Sequence, residues 1–182
     1  MATGAGGEAM AGGAAIRGAT AADAAALARI YAPFVTGSIS TFEEEPVSAA
    51  AFETRLAAVA NAGLPWLVAE AGGEVVGYAY ASPWRPRRAY RFSVEVTAYV
   101  QHEHQGRGVG TRLYATLLPA LERQGAHAAL GGIALPNAAS VALHERFGFR
   151  QVGLLREVGS KFGRWIDVGI WQRVFGDEGG RA

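Results

Sequence analysis

YRFSVEVTAYVQHEHQGRGVG, residues 90–110, joins an alternating run to a glycine-rich turn. Tyr90, Phe92, Val94, Val96, Ala98 and Val100 fall on one side of the run, and Arg91, Ser93, Glu95, Thr97 and Tyr99 on the other. That period of two predicts a strand. The turn, Gln105-Gly106-Arg107-Gly108-Val109-Gly110, leads into an amphipathic helix from about Gly108 to Gln124, closed by Gly125. Glycines between a strand and a helix let successive backbone N–H groups converge. The helix start adds partial positive charge, so the place suits a phosphate or pyrophosphate. A Walker loop is excluded, because Thr111-Arg112 follows Gly110 where Gly-Lys-Ser/Thr is required. The dinucleotide fingerprint fails as well, for want of its third glycine at the right step. A plain glycine-rich turn remains the alternative.

Upstream, Thr20 with Asp23 suggests a helix start, followed by Leu27, Ile30, Tyr31 and Phe34 at helical spacing, with Pro33 near the helix end. A second helix is expected from Ser48 to Gly63, with Phe52, Leu56 and Val59 on one stripe. Pro65–Ala71 and Val75–Trp84 read as a hairpin about Gly72-Gly73. Downstream come a strand over His127–Ala134, a short helix over Asn137–Phe147, and strands over 149–158 and 164–175. Strands and helices interleave, yet several strand pairs are joined by short turns. The expected fold is α/β: a mixed, mostly antiparallel central sheet with helices on both faces. Residues 1–15 contain eleven Ala or Gly and read as a disordered leader, 16–175 as the folded domain, and 176–182 as a flexible tail.

Composition removes whole classes of function. The chain has 182 residues, and 17 basic against 16 acidic side chains leave a net charge of +1. No general attraction to nucleic acid or to a membrane surface follows from that balance. Cys 0 excludes disulfides, thiolate metal sites and a cysteine nucleophile. Neither a membrane-spanning run nor a secretory leader is evident, so a soluble, cytoplasmic protein is expected. His102-Glu103-His104 lacks the spacing of a zinc-protease helix and a third ligand nearby, so no metal is expected.

Gln105-x-x-Gly108-x-Gly110 after a strand ending Tyr99-Val100 resembles the acyl-coenzyme A signature of the GNAT superfamily of N-acetyltransferases. Leu135-Pro136-Asn137 followed by Val141-Ala142-Leu143-His144-Glu145-Arg146-Phe147-Gly148-Phe149 is similar to its second signature. Tyr31, Ser40-Thr41-Phe42, Glu44-Glu45-Pro46, Pro65–Glu70, Gly77–Ala81, Pro83-Trp84, Ala89-Tyr90 and Gly163-Arg164-Trp165 further resemble the phosphinothricin and methionine sulfoximine N-acetyltransferase subfamily. The likeness covers about residues 15–173. It implies acetyl-CoA as co-substrate, a small amino acid as acceptor and a homodimer. It implies cofactor contacts from Ala98, Tyr99, Val100, from Gln105, Gly106, Arg107, Gly108, Val109 and Gly110, and from Asn137, with Arg107 or Arg112 near the phosphates.

The resemblance gives Glu95 the role of general base. An isolated strand glutamate is ordinarily a solvated one. Here, however, it sits on the strand that feeds the glycine turn, and acetyl transfer requires an acid–base group to take a proton from an ammonium. With no cysteine, direct attack in a ternary complex is simpler than an acyl-enzyme. A backbone N–H within 96–100, at an expected local bulge, would polarise the thioester carbonyl. His144 matches a family histidine that assists catalysis, and packing or capping is the alternative. Asn137 either caps its helix or binds the cofactor's pantetheine arm, and a single side chain does not easily do both.

Arg85, Arg87, Arg88 and Arg91 crowd one connection. A solvated loop or a nucleic-acid patch is the plain reading, and the net charge argues against the patch. The resemblance assigns Arg87 and Tyr90 to the amino-acid substrate, where a guanidinium grips an oxyanion through paired hydrogen bonds, and makes Phe42 an aromatic wall. Pro86, Arg88, Arg91, Phe92, Ala98 and Phe162 depart from the usual family residues, which bears on side-chain preference. The competing readings are a same-fold acetyltransferase for a peptide, polyamine or aminoglycoside amine, and a catalytically silent acyl-CoA-binding module.

Overall fold

The computed structural model describes residues 14–176. The expected leader and tail therefore fall almost entirely outside the described residues. The element order is β1 (Ala15–Gly18), α1 (Ala24–Gly37), α2 (Ala49–Asn61), β2 (Trp66–Ala71), β3 (Glu74–Pro83), β4 (Ser93–Val100), α3 (Val109–Arg123), β5 (Ala128–Ala134), α4 (Ala138–Arg146), β6 (Arg150–Lys161) and β7 (Arg164–Val174). The seven strands form one sheet in the order β1-β2-β3-β4-β5-β7-β6. Every neighbouring pair is antiparallel except β4 and β5. Among the described residues no helix is long and apolar enough to cross a membrane.

Two cores lie on the two faces of this sheet. Leu113, Tyr114, Leu117, Leu118 and Leu121 line the buried side of α3 and meet Val94, Val96, Ala129, Ile133, Phe149 and Trp171. Their i, i+4 spacing places them on one stripe, and burying each such side chain is worth about 1.5–3 kcal/mol. On the opposite face, Leu27, Ile30, Tyr31 and Val35 of α1 and Phe52 and Val59 of α2 pack with Trp66, Val68 and Tyr78. Ser48 caps α2 by accepting from the Ala51 N–H at 3.2 Å.

Three sequence expectations change. β1 is a strand the sequence does not announce, because AIRG carries only one bulky apolar residue; it pairs with Leu67–Glu70, and Ala14 is buried, so the folded unit reaches two residues ahead of the expected start. Helix α1 continues past Pro33 to Gly37 instead of ending near it. The alternating run 90–100 is shorter as a strand than its pattern suggests. Arg88–Tyr90 form a short 3-10 turn, and Phe92 is exposed just before β4 begins at Ser93.

Candidate active site

The site begins where the sheet splits. β4 and β5 pair only through Ser93–Ala128, Val94–Ala129 and Glu95–Leu130, and then part. The β3–β4 ladder runs without interruption from Pro83–Val94 to Gly77–Val100. The bulge expected within 96–100 is therefore absent, and the opening comes from the departure of β5. Trp84 N–H donates to Ser93 O, and Gln101 N–H donates to Val76 O. Odd-numbered residues of β4 thus turn their peptide groups toward β3. By the alternation of an antiparallel ladder, Val96, Ala98 and Val100 present theirs to the opening.

A cleft of about 1200 Å³ occupies this opening and runs on to the start of α3. That volume exceeds an ordinary small-ligand pocket and suits an extended ligand. Glu95 lines it from the α1/α2 face, half-buried, and burial pushes its carboxyl pKa up. A Cβ placed on Gly132 would lie 3.4 Å from Glu95 Oε1, in ordinary contact, so the carboxylate rests against this face of β5.

His144 lines the cleft from α4, on the α3 side of the sheet, and is 5% exposed. Its Nδ1 lies 2.8 Å from Ser140 O, an acceptor only, so Nδ1 carries the hydrogen. Nε2 of the neutral ring then accepts from the Tyr114 hydroxyl at 3.1 Å. Burial pushes the imidazole pKa down, which favours that neutral form, while the Ser140 contact opposes the shift. Tyr114 and Phe149 stand edge-on to the ring at 5.3 and 5.1 Å between centroids. A Cβ on Gly131 would overlap the imidazole. Consecutive glycines of β5 therefore seat the two titratable groups, one on each face. Tyr114, Gly131 and Gly132 escaped the sequence reading, although paired glycines inside the strand AALGGIA are a recognisable mark of close approach.

At the far end of the cleft, Gly106 and Gly108 have φ of 71° and 80°, conformations that disfavour any side chain. No backbone hydrogen bond among the described residues takes the N–H groups of Gly106 to Thr111. Gln105 lines the cleft and is also bonded within the turn. Its N–H is spent on His102 O, and its side-chain Nε2 donates to Val100 O at 3.0 Å, so it braces the turn. Gly110 faces α4, where a Cβ would be in ordinary contact with Leu143 Cδ2 at 3.4 Å. The donor set with the α3 N-terminus behind it fits a diphosphate.

Asn137 is the cap of α4 and also lines the cleft. Oδ1 accepts from Ser140 N–H at 3.1 Å and caps α4, while Nδ2 points across the cleft to Ser40 Oγ at 3.4 Å. Tyr99 also joins the far wall: its ring meets Tyr31 and Phe34, and its hydroxyl donates to Ser40 O at 3.2 Å.

A family model described as an acetyltransferase (GNAT) domain matches residues 16–170. The chain belongs to the GNAT family. This GNAT domain is 46% identical over 160 residues to a phosphinothricin N-acetyltransferase of Streptomyces viridochromogenes, covering 88% of the chain and 87% of the relative. It is 39% identical to an L-methionine sulfoximine/L-methionine sulfone acetyltransferase of Pseudomonas paraeruginosa, covering 87% and 93%. The crystal structure of a phosphinothricin acetyltransferase from Sinorhizobium meliloti in complex with AcCoA superposes with a TM-score of 0.86 at 38% identity, covering 88% of each chain.

Of the residues singled out in sequence, this GNAT domain brings Glu95, Ala98, Tyr99, Val100, Gln105, Gly106, Gly108, Val109, Gly110, Asn137 and His144 to one cleft. Arg107, Phe42, Arg87 and Tyr90 are not among its lining. Tyr90 and Arg87 stand on the exposed turn before β4, and Phe42 lies against the β6 backbone at Gly159. His102 and His104 line the rim beside Glu103.

Proposed function

We propose that this GNAT domain transfers the acetyl group of acetyl-CoA to the α-amino group of a small amino acid of the phosphinothricin, methionine sulfoximine or methionine sulfone type, by direct attack in a ternary complex with Glu95 as general base. One observation carries the reading: the half-buried Glu95 carboxylate, its pKa raised by desolvation, faces a cleft whose other end offers the free N–H groups of Gly106–Thr111. The acceptor class rests on the relatives at 46% and 39% identity.

Acetyl-CoA supplies the acyl group as a thioester. Gly106–Thr111 N–H groups hold its diphosphate, and Asn137 Nδ2 is free of the helix cap to meet its arm. Val96, Ala98 or Val100 supplies the N–H that polarises the carbonyl. Glu95, directly or through water, takes the proton that the ammonium must lose before its nitrogen can form the new C–N bond. As the C–S bond breaks, the leaving sulfur takes up the second proton that the nitrogen sheds in becoming an amide, through water that the neutral His144 and Tyr114 order at the cleft. Arg87, Tyr90 and Phe42 recognise the acceptor's side chain. Among the described residues no acid, histidine or cysteine cluster is arranged for a metal ion, and none of these steps calls for one.

A homodimer is part of the same proposal. Val152, Leu154, Leu155 and Val158 stand exposed on β6, the outermost strand, where a lone soluble domain would ordinarily show charge. The deciding experiment is a thiol-release screen with acetyl-CoA against phosphinothricin, methionine sulfoximine, methionine sulfone, the ordinary amino acids, a polyamine and an aminoglycoside. Turnover confined to the first three supports the proposal. Turnover only on polyamine or aminoglycoside, or thiol release with no acceptor consumed, removes it.

A further inference from the structure

Lys161, the last residue of β6, is 2% exposed. A buried ammonium is costly unless it is paired, yet among the described residues no carboxylate lies within ion-pair distance of it. Its Nζ donates to Thr41 O at 2.7 Å. Burial pushes its pKa down, and Glu44 and Glu43 oppose that shift from further off. The same strand grips the same segment a second time, since a Cβ on Gly159 would overlap the Phe42 ring. Thr41 and Phe42 are thus fixed to β6 by a charge-assisted hydrogen bond and by a ring laid on bare backbone.

The other side of this segment faces the cleft. Ser40 and Thr41 line it, Tyr99 and Asn137 reach Ser40, and the Tyr31 hydroxyl is bonded to Thr41 Oγ1. Lys161 itself is not among the lining residues. Its link to the cleft wall is the hydrogen bond to Thr41 O.

We propose that Lys161 is a positioning residue that holds Ser40–Phe42 as the wall of the acceptor pocket, and so sets the affinity for the amino acid without affecting that for acetyl-CoA. The inference rests on the acceptor reading given above and extends it to a residue outside the cleft.

The test uses the full-length protein with acetyl-CoA and methionine sulfone, or whichever free amino acid the wild type turns over fastest. K161M is expected to raise the acceptor KM about tenfold while kcat and the acetyl-CoA KM stay within about twofold; K161R, which still donates to the carbonyl, is expected to recover most of the loss. G159A, which displaces Phe42 and leaves the lysine in place, is expected to raise the acceptor KM as well. Hydrogen–deuterium exchange supplies a readout independent of the acceptor: K161M should speed exchange over 39–46 and not over 105–112. An unchanged acceptor KM in K161M, or a rise matched by the acetyl-CoA KM, overturns the proposal. If K161M does not fold, an unchanged acceptor KM in G159A overturns it. If the wild type acetylates no free amino acid, the acceptor reading falls by itself, and the exchange result then decides whether Lys161 holds the segment: unchanged exchange over 39–46 overturns that claim too.

Discussion

The Glu95 carboxylate and the His144 imidazole lie on opposite faces of the sheet, each against one of two successive glycines of β5. Val94 and Val96 pack on the α3 side, so Glu95 between them must face α1 and α2, whereas His144 reaches Tyr114 of α3. The opening beyond Glu95–Leu130 is what lets groups on opposite faces border one cleft.

On the role proposed for Glu95, its removal should slow turnover without weakening the fold. E95Q is expected to lower kcat by about 10²–10⁴-fold in thiol release, with acetyl-CoA binding by calorimetry unchanged. In the wild type the acid limb of kcat/KM should lie above the ordinary glutamate range, because burial raises the carboxyl pKa and only the ionised form accepts a proton. A raised carboxyl pKa also means that the folded state pays for the charge at neutral pH; stability from this group is full at low pH and lost as pH rises through the folded pKa. E95Q should therefore melt at or above the wild-type temperature. A clearly lower Tm with intact kcat would refute both halves.

The sign is opposite in origin for His144. Its folded pKa lies below the unfolded value of about 6.5, so the unfolded chain binds the extra proton first and stability falls as pH drops through 6.5 toward the folded pKa. The Tm difference between pH 7 and pH 5 should shrink in H144Q relative to the wild type. Y114F leaves Nε2 buried without its donor and should cost about 1–3 kcal/mol in urea unfolding.

The two glycines should respond unequally to alanine. At Gly131 the new Cβ overlaps the imidazole inside a closed cluster, and G131A should lose about 1–3 kcal/mol of stability and most of its turnover. At Gly132 the contact with Glu95 Oε1 is 3.4 Å, which is ordinary van der Waals distance. G132A should keep its Tm within about 2 °C by this reasoning, and its effect should appear in the acid limb of the rate profile. Equal Tm losses in the two variants would contradict the packing described.

Far from the cleft, Asp23 accepts two hydrogen bonds from Arg17 at 2.8 Å each, with further donation from the Thr20 N–H and hydroxyl. The Arg17 bonds hold its carboxyl at about 2, against desolvation. A depressed carboxyl pKa stabilises the fold above the unfolded value of 3.8 and loses that contribution as pH falls through about 2. D23N should cost about 1–2 kcal/mol at pH 7, discounted because Arg17 is partly exposed, and the difference from wild type should vanish near pH 2.

Most of the architecture could be read from periodicity, because α3, β2, β3 and β5 each carry strong apolar patterns with glycine or proline at their ends. β1 could not, since it is held by pairing with β2 and by Arg17, which meets Glu70 across 53 residues of chain as well as nearby Asp23. At the site, the glycine turn could be singled out because helix-start chemistry is local, whereas Glu95 stood out only through the family resemblance and its place on the strand that feeds that turn. Tyr114 was hidden in a leucine-rich helix face where an aromatic residue reads as core, and only the fold shows that its hydroxyl meets His144. Phe92 misled through pattern alone: it continues the alternation of β4, yet it sits in the turn before the strand, held to the start of β5 through its carbonyl, with its ring exposed.

The three residue pairs that join β4 to β5 make the sheet two leaves on a short hinge, with Glu95 at the vertex. A wedge held at its vertex gapes most at its mouth, so small tilts between the leaves alter the width near Val100 and Ala134 far more than the setting of the acid. The room that a long ligand needs therefore lies at the open end of the sheet, while Glu95, the proposed proton acceptor, is set by the paired end.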